Sequence, residues 1–379
     1  MPLPGELSKI VVRTGRLLYP LEHDPETWSR FSEKIMLKQE DLQTASNGEI
    51  VSGQTLKIGT RKSAMALAQT DGIARMLRAA DGALDIEIVK FETRGDQDQT
   101  SKLLRHGGKG GAFVAEIREA MHKGELQAAM HSLKDVPGNE ETPGLIIAAL
   151  LPRDAANDAL VLRPGVSFDE FRASKGKGFK IGTNAVRRAA YLRRLFPDVD
   201  VIHFRGAADT RVAKLDRGDK QRLPGGGEVG PADALVMARS GLERIGMASR
   251  IVHDFSVREM LPAVGQGIVA VECVENDWLT RARLSKIEDA SSRLCAEAER
   301  EVLWVLNGHC NSPIAGHATL SGNAMTLTAS VLDEAGSGFI EVSRQGPADR
   351  PRELGRAVGL ELLDKGAAAI IERTRPDEH

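Results

Sequence analysis

The chain reads as an α/β protein of more than one lobe, and three observations point there. From Leu56 onward, short apolar runs alternate with stretches whose apolar residues recur at helical spacing. The tetrad Lys57-Ile-Gly-Thr60 returns as Lys180-Ile-Gly-Thr183, each copy ahead of a helical stretch, which suggests two similarly built lobes. From about Ser291 the alternation gives way to a long helical pattern followed by alternating strands, as expected of a small α+β unit.

Residues 1–55 differ in pattern from the remainder of the chain. They mix Trp28, Phe31, Met36 and Leu37 with many charges and end in the polar stretch Thr44–Gln54, the pattern of a partly helical extension with a flexible linker. Leu56-Lys-Ile58 predicts a short strand stopping at Gly59-Thr60, and Ala68, Ile73, Met76 and Leu77 a helix with one buried face. Leu84, Ile86 and Ile88 alternate as a half-buried strand. Phe113, Ile117 and Met121 lie four apart on a helix that Gly124 can close. Leu145–Leu151 is a continuous apolar run behind Pro143-Gly144, as in a buried strand, and the alternation as a whole predicts a largely parallel sheet. Gly218–Pro231, rich in glycine and proline, reads as a surface loop. Leu294, Ala298, Val302 and Val305 mark the long helix of the last unit. Strands around Met325–Leu332 and a helix near Leu354–Leu363 complete it.

Composition narrows the function classes. With 379 residues the chain can hold two or three cores, and aromatics at 4% argue against a base-stacking surface for nucleic acid. Lys+Arg 51 against Asp+Glu 53 leaves no general polycationic coat, so any anion site is a local cluster. No apolar run approaches membrane-spanning length, and Met1 to Ser8 lack the pattern of a secretory signal. Cys273, Cys295 and Cys310 form no C-x-x-C pair, which fits a reducing compartment, so the cytoplasm is expected. His131, His203 and His309 have no metal-ligand spacing, and no metal is expected.

Basic residues gather where predicted strands end: Arg61, Arg153, Arg187, Arg188, Arg205 and Arg211, with Ser63 beside the first. Helix N-termini present free N–H groups, and arginine grips carboxylates through a planar fork. A lone arginine there is as readily a structural charge, but six facing cations repel one another unless an anion neutralises them. In His131-Ser-Leu-Lys-Asp135-Val-Pro137, an ionised Asp135 at a strand tip can accept N–H bonds from a nitrogen ring and stabilise a developing cation. Gly107-Gly-Lys109-Gly-Gly111 lacks the Walker spacing and reads as a glycine loop bordering the site. Cys310, alone in its segment, is either a buried small residue or a point of covalent attachment, and the arginine-rich remainder favours attachment.

Taken in order, these segments closely resemble the porphobilinogen deaminase (hydroxymethylbilane synthase) family. The matching pieces are Gly59-Thr-Arg61-Lys-Ser63, Thr93-Arg-Gly-Asp96, Gly107-Gly-Lys-Gly110 and His131 to Pro137. They continue with Arg187-Arg188, Arg205-Gly206, Thr210-Arg211, Leu261-Pro-Ala-Val-Gly-Gln-Gly267, Ala298-Glu-Arg300 and Gly308-His-Cys310. The resemblance implies an α/β protein of three domains: two periplasmic-binding-protein-like lobes with a central cleft, plus a small C-terminal α+β domain. The expected division is an extension over 1–55, a first domain of 56–154 with 268–287, a second of 158–263 and a third of 290–379. It further implies a monomeric transferase joining four porphobilinogen molecules head to tail, with loss of ammonia each time, before hydrolytic release of hydroxymethylbilane. A dipyrromethane cofactor would be held by a thioether to Cys310, and Asp135 would be the catalytic acid.

By the same resemblance, Ser132, Lys134, Thr183, Asn184, Arg187 and Arg188 would hold cofactor carboxylates, while Arg61, Ser63, Gln69, Lys109 and Arg205 would face substrate. Arg211 leans towards substrate by position and counts with the cofactor clamp, and Arg153 would line the path of the chain. The pyrroles' acetate and propionate groups account for the arginines, and loss of ammonia gives an azafulvene cation that a carboxylate can stabilise. This chain departs from the family at Asn184-Ala185, where two serines are usual, and at Ala207, Arg105, the extra glycine near Gly111, and His309. A second function class, a two-lobed polycarboxylate binder without turnover, has the same cleft but no use for Cys310 and Asp135.

Overall fold

The computed structural model describes residues 55–92, 114–140, 142–223, 226–308 and 312–374. The expectations for residues 1–54, for the glycine loop with Lys109, and for Cys310 fall outside them.

Strand β1 (Leu56–Arg61) runs past the apolar pattern Leu56–Ile58 to Arg61 and leads into α1 (Ala64–Ala80). Ser63 caps that helix by accepting the Ala66 N–H at 3.3 Å, and Ala66, Ile73, Ala74 and Leu77 form its buried stripe. After β2 (Ile86–Phe91), α2 (Ala115–His122) buries Ile117 and Met121 and is closed by Gly124 at φ +76°. β3 (Ala128–Ser132) ends in one 3-10 turn, Leu133–Asp135, before β4 (Leu145–Leu150).

The chain then crosses to a second sheet through β5 (Asp158–Leu162), α3 (Phe168–Ala173), β6 (Lys180–Gly182), α4 (Val186–Leu195) and β7 (Asp200–Ile202). Next come α5 (Ala208–Arg217), β8 (Gln221–Arg222), β9 (Glu228–Val229), β10 (Ala234–Ala238), α6 (Arg239–Arg244) and β11 (Ile251–Asp254). The segment expected as a plain loop, Gly218–Pro231, thus carries the β8–β9 hairpin. The chain crosses back into β12 (Val269–Val274), α7 (Trp278–Leu284) and α8 (Ala290–Leu306). Three strands, β13 (Ile314–Ser321), β14 (Ala324–Leu332) and β15 (Phe339–Pro347), precede α9 (Pro351–Asp364) and α10 (Ala367–Arg373).

The first sheet has the order β2-β1-β3-β12-β4 and the second, taken in the same direction, β7-β6-β10-β5-β11. In both, the first two pairings are parallel and the last two antiparallel. Each is therefore mixed, not largely parallel. The reason is the double crossing: each lobe takes its fourth strand, β12 or β5, from the chain as it arrives from the other lobe, and that strand runs against its neighbours. The sequence echo occupies the same place in both sheets, β1 and β6. Its glycine is a matter of space. A Cβ on Gly59 would lie 2.5 Å from Leu126 Cδ1, and one on Gly182 2.7 Å from Leu235 and Phe204.

The apolar run Leu145–Leu151 forms an edge strand whose middle is only half-buried. Its outer groups are met by the segment entering α8: Glu288 accepts the Leu150 N–H at 2.5 Å, and the Asp289 N–H donates to the Leu150 carbonyl at 2.8 Å. That contact satisfies an edge otherwise open to pairing. In the last unit, α8 and α9 cover one face of the antiparallel sheet β13-β14-β15. Gly355 and Gly359 let the helices meet closely, since side chains there would strike the Ala298 carbonyl and Val305.

Candidate active site

The first lobe presents its chemistry at the carboxyl ends of β1 and β3. Arg61, Ser63, Gln69, His131, Ser132 and Asp135 line one pocket. Gln69 and Ser132 are linked side chain to side chain, at 3.2 and 3.3 Å. Asp135 is exposed on the turn after β3. That turn is held on two sides. Leu133 N–H donates to the Ile268 carbonyl at 3.0 Å, and the Arg300 guanidinium, reaching from α8, donates to the carbonyls of Val136 and Pro137 at 3.1 and 2.8 Å. Behind it lies a buried charge group. Glu272 accepts from Arg118 at 2.8 and 2.9 Å and lies 3.2 Å from His131 Nε2. Burial pushes the Glu272 carboxyl up, but the bonds from His131 and Arg118 outweigh it and bring its pKa down to about 2.

The second lobe contributes cations around one buried carboxylate. Arg187 and Arg188 sit in the first turn of α4, where Asp158 at the head of β5 meets them: Arg187 Nη2 donates at 2.6 Å and Arg188 Nε at 2.9 Å. Asp158 is 0% exposed. Burial raises its pKa, and the two guanidinium groups reverse that and hold it at about 2. Lys134, from the first lobe, and Arg211, from α5, complete the cluster, each of them only partly exposed. Burial and then Arg188 push Lys134 down to about 8 and Arg211 down to about 10. Arg211 Nε is enclosed and, among the described residues, has no hydrogen-bond partner. Three cations therefore gather on one buried carboxylate, with Arg211 beside Arg188 as a fourth, an arrangement that costs free energy until an anion enters.

The remaining expected residues lie elsewhere. Thr183 accepts the Ala185 N–H at 3.2 Å and Asn184 the Phe204 N–H at 2.8 Å, so both shape the turn into α4. Arg205 lies half-buried after β7, its carbonyl accepting from Lys214 Nζ at 3.3 Å. Arg153, on the first crossing, donates to Glu299 at 2.5 and 3.3 Å and to the Gln266 carbonyl at 2.9 Å. Glu299 also accepts the N–H groups of Gly265 and Ala318, both at 2.7 Å, so one buried carboxylate ties both crossings to the last unit. The segment with Cys310 joins α8 to β13, beyond Asn307 at φ +47°.

Two family models match this chain: "Porphobilinogen deaminase, dipyromethane cofactor binding domain" over residues 56–282, and "Porphobilinogen deaminase, C-terminal domain" over residues 293–364. The chain belongs to the porphobilinogen deaminase family. A porphobilinogen deaminase of Syntrophotalea carbinolica is 36% identical over 321 residues, which is 85% of this chain and 96% of that protein. One of Stenotrophomonas maltophilia is 38% identical over 318 residues, 84% and 99% of the two chains. One of Xanthomonas axonopodis pv. citri is 38% identical over 317 residues, 84% and 98%.

The cation cluster of this porphobilinogen deaminase homologue fits a dipyrromethane group on chemical grounds. Such a group carries several carboxylates, and the cluster offers excess positive charge and, on Arg211, an enclosed guanidinium N–H without a partner among the described residues. Sequence reasoning missed the carboxylates that organise the site. Asp158 heads an apolar strand and Glu272 interrupts the apolar run Val269–Val274, and an acid inside such a run is the signal that a buried ion pair leaves. Gln266 and Glu299 lie inside the family motifs, yet nothing in the sequence assigns them a task.

Proposed function

We infer that this protein is a hydroxymethylbilane synthase. It condenses four porphobilinogen molecules head to tail with release of ammonia, then frees hydroxymethylbilane by hydrolysis, a step of tetrapyrrole and haem biosynthesis. The observation that carries this reading is the cluster of Lys134, Arg187 and Arg188 on Asp158, with Arg211 beside Arg188, next to the pocket lined by Asp135. A growing chain of carboxylate-bearing pyrroles is the ligand that such a charge excess suits, and family membership names it.

The dipyrromethane cofactor, bound through Cys310, supplies the pyrrole carbon from which the chain is extended. Ser132, Lys134, Arg187, Arg188 and Arg211 bind its carboxylates, and Thr183 and Asn184 hold the backbone that presents Arg187 and Arg188. Arg61, Ser63, Gln69 and Arg205, with Lys109, receive the carboxylates of incoming substrate. Asp135 gives a proton to the departing amine and, once ionised, faces the positive charge left on the substrate ring. Arg153 acts one step away, holding the crossing against Glu299. The reading includes three domains, 56–154 with 268–287, 158–263 and 290–379, and a monomer in the cytoplasm. Among the described residues, no helix is long and apolar enough to cross a membrane.

Intact mass tests it. The purified protein is expected to exceed its chain mass by two linked pyrrole units, to lose that excess on Cys310→Ser, and to convert porphobilinogen to hydroxymethylbilane. A bare chain mass with no turnover sinks the reading and favours a binder.

A further inference from the structure

Gln266 stands at the centre of the site, and the proposed function gives it no task. It lies on the second crossing, is 0% exposed, and touches both lobes. Its Nε2 donates to the Ala156 carbonyl at 2.6 Å and to Asp158 Oδ1 at 3.1 Å. Its Oε1 accepts from Lys134 Nζ at 3.3 Å and from Arg188 Nη2 at 3.4 Å. One amide thus joins a cation of the first lobe, an ion pair of the second and the first crossing. Its orientation is enforced by its neighbours. Gly265 and Gly267 have φ of +73° and +90°. A Cβ at Gly265 would meet Leu133 at 2.8 Å, and one at Gly267 would meet the Asp154 carbonyl at 2.5 Å. The Gly-Gln-Gly run is therefore the sequence that lets the second crossing lie against both the catalytic turn and the first crossing while aiming an amide inward.

Resting on the proposed function, we propose that Gln266 is a positioning residue for the condensation, one that fixes the spacing between Lys134 and the Asp158–Arg188 pair and so registers the bound chain's carboxylates across the two lobes. Glutamine suits this task. A neutral amide offers an acceptor to the two cations and a donor to Asp158 and the Ala156 carbonyl, which neither a carboxylate nor an ammonium can do. Lys134 is faced by Arg188, Asp135, Asp158 and Arg187, so its ammonium is sensitive to the loss of one acceptor.

The test uses the holoenzyme. Gln266→Leu is expected to lower kcat/KM about tenfold, the size of one hydrogen bond to a charged group, with the cofactor mass retained. In a Lys134→Met background the same change is expected to add less than twofold, because the two residues act as one unit. Nuclear magnetic resonance of carbon-labelled lysine, with Lys134→Arg identifying the signal, supplies a readout apart from turnover. The Lys134 titration moves to lower pH in Gln266→Leu and to higher pH in Gln266→Glu. Equal losses in both backgrounds, or an unmoved titration in both variants, overturn the proposal. If Gln266→Leu does not fold, the isosteric Gln266→Glu titration alone decides. A parent protein with bare chain mass overturns the proposed function, and this inference with it. A parent with normal mass and turnover but silent Gln266 variants overturns only the inference.

Discussion

Asp158 Oδ2 lies 2.6 Å from Arg187 Nη2, with the two side chains 0% and 6% exposed. The contact joins the strand at which the chain enters the second lobe to the helix that presents the site's arginines. It is also the point at which the cost of gathering cations is offset before any ligand arrives.

Removing that carboxylate leaves Arg187 and Arg188 buried without a counter-ion. Asp158→Asn is expected to lower stability by about 3–5 kcal/mol, the range for breaking a buried pair from one side. Urea unfolding of the cofactor-free protein measures it, and a loss below about 1 kcal/mol would show that water reaches the pair.

Acid should act on the same group. The folded pKa of Asp158, about 2, lies below its ordinary 3.8, and that of Glu272, about 2, lies below 4.5. Each contributes stability that is complete above the unfolded value and is lost as pH falls through the folded one. The denaturant midpoint is therefore expected to drop between about pH 4.5 and 2. Glu272→Gln should flatten part of that slope.

Lys134 works in the opposite range. Its pKa is lowered from 10.5 to about 8, so between these values the unfolded chain binds the extra proton and this group's contribution to stability rises with pH. A bound carboxylate reverses the bias by favouring the ammonium. Affinity of the cofactor-free protein for a tetracarboxylate probe should fall as pH rises through about 8, and Lys134→Met should remove that fall. Calorimetry in buffers of different ionisation heat should register proton uptake on binding near pH 8–9.

Asp135→Ala is expected to keep the covalent mass excess and to lower ammonia release by about 10²- to 10⁴-fold, the usual contribution of a positioned acid. Mass and single-turnover assays on one preparation separate the two effects. Full activity would exclude Asp135 as the acid. Its side chain is exposed, so the change should leave the melting temperature close to that of the parent.

Gly267→Ala probes the crossings. At φ +90° a Cβ is strained whatever the space, and here it would also press on the Asp154 carbonyl at 2.5 Å. A loss of about 2–3 kcal/mol is expected, with KM rising as the lobes shift. An unchanged melting temperature would mean that the two crossings slide freely.

The sequence by itself determined the periodic elements, the twofold echo and the residues proposed to carry chemistry, because each leaves a local mark. Helical spacing marked α1 and α8, a repeated strand-glycine-threonine tetrad marked β1 and β6, and specific motifs marked Asp135, Arg187 and Arg188. Only the tertiary structure decided which charges face which. Asp158 and Arg187 are 29 residues apart, Lys134 and Gln266 132, and Arg118 and Glu272 154. It also made the sheets mixed, since the direction of β5 and β12 is set by where the chain crosses between lobes. Periodicity reports which face of an element is buried. It does not report what lies across that face, and a buried ion pair depends on that alone.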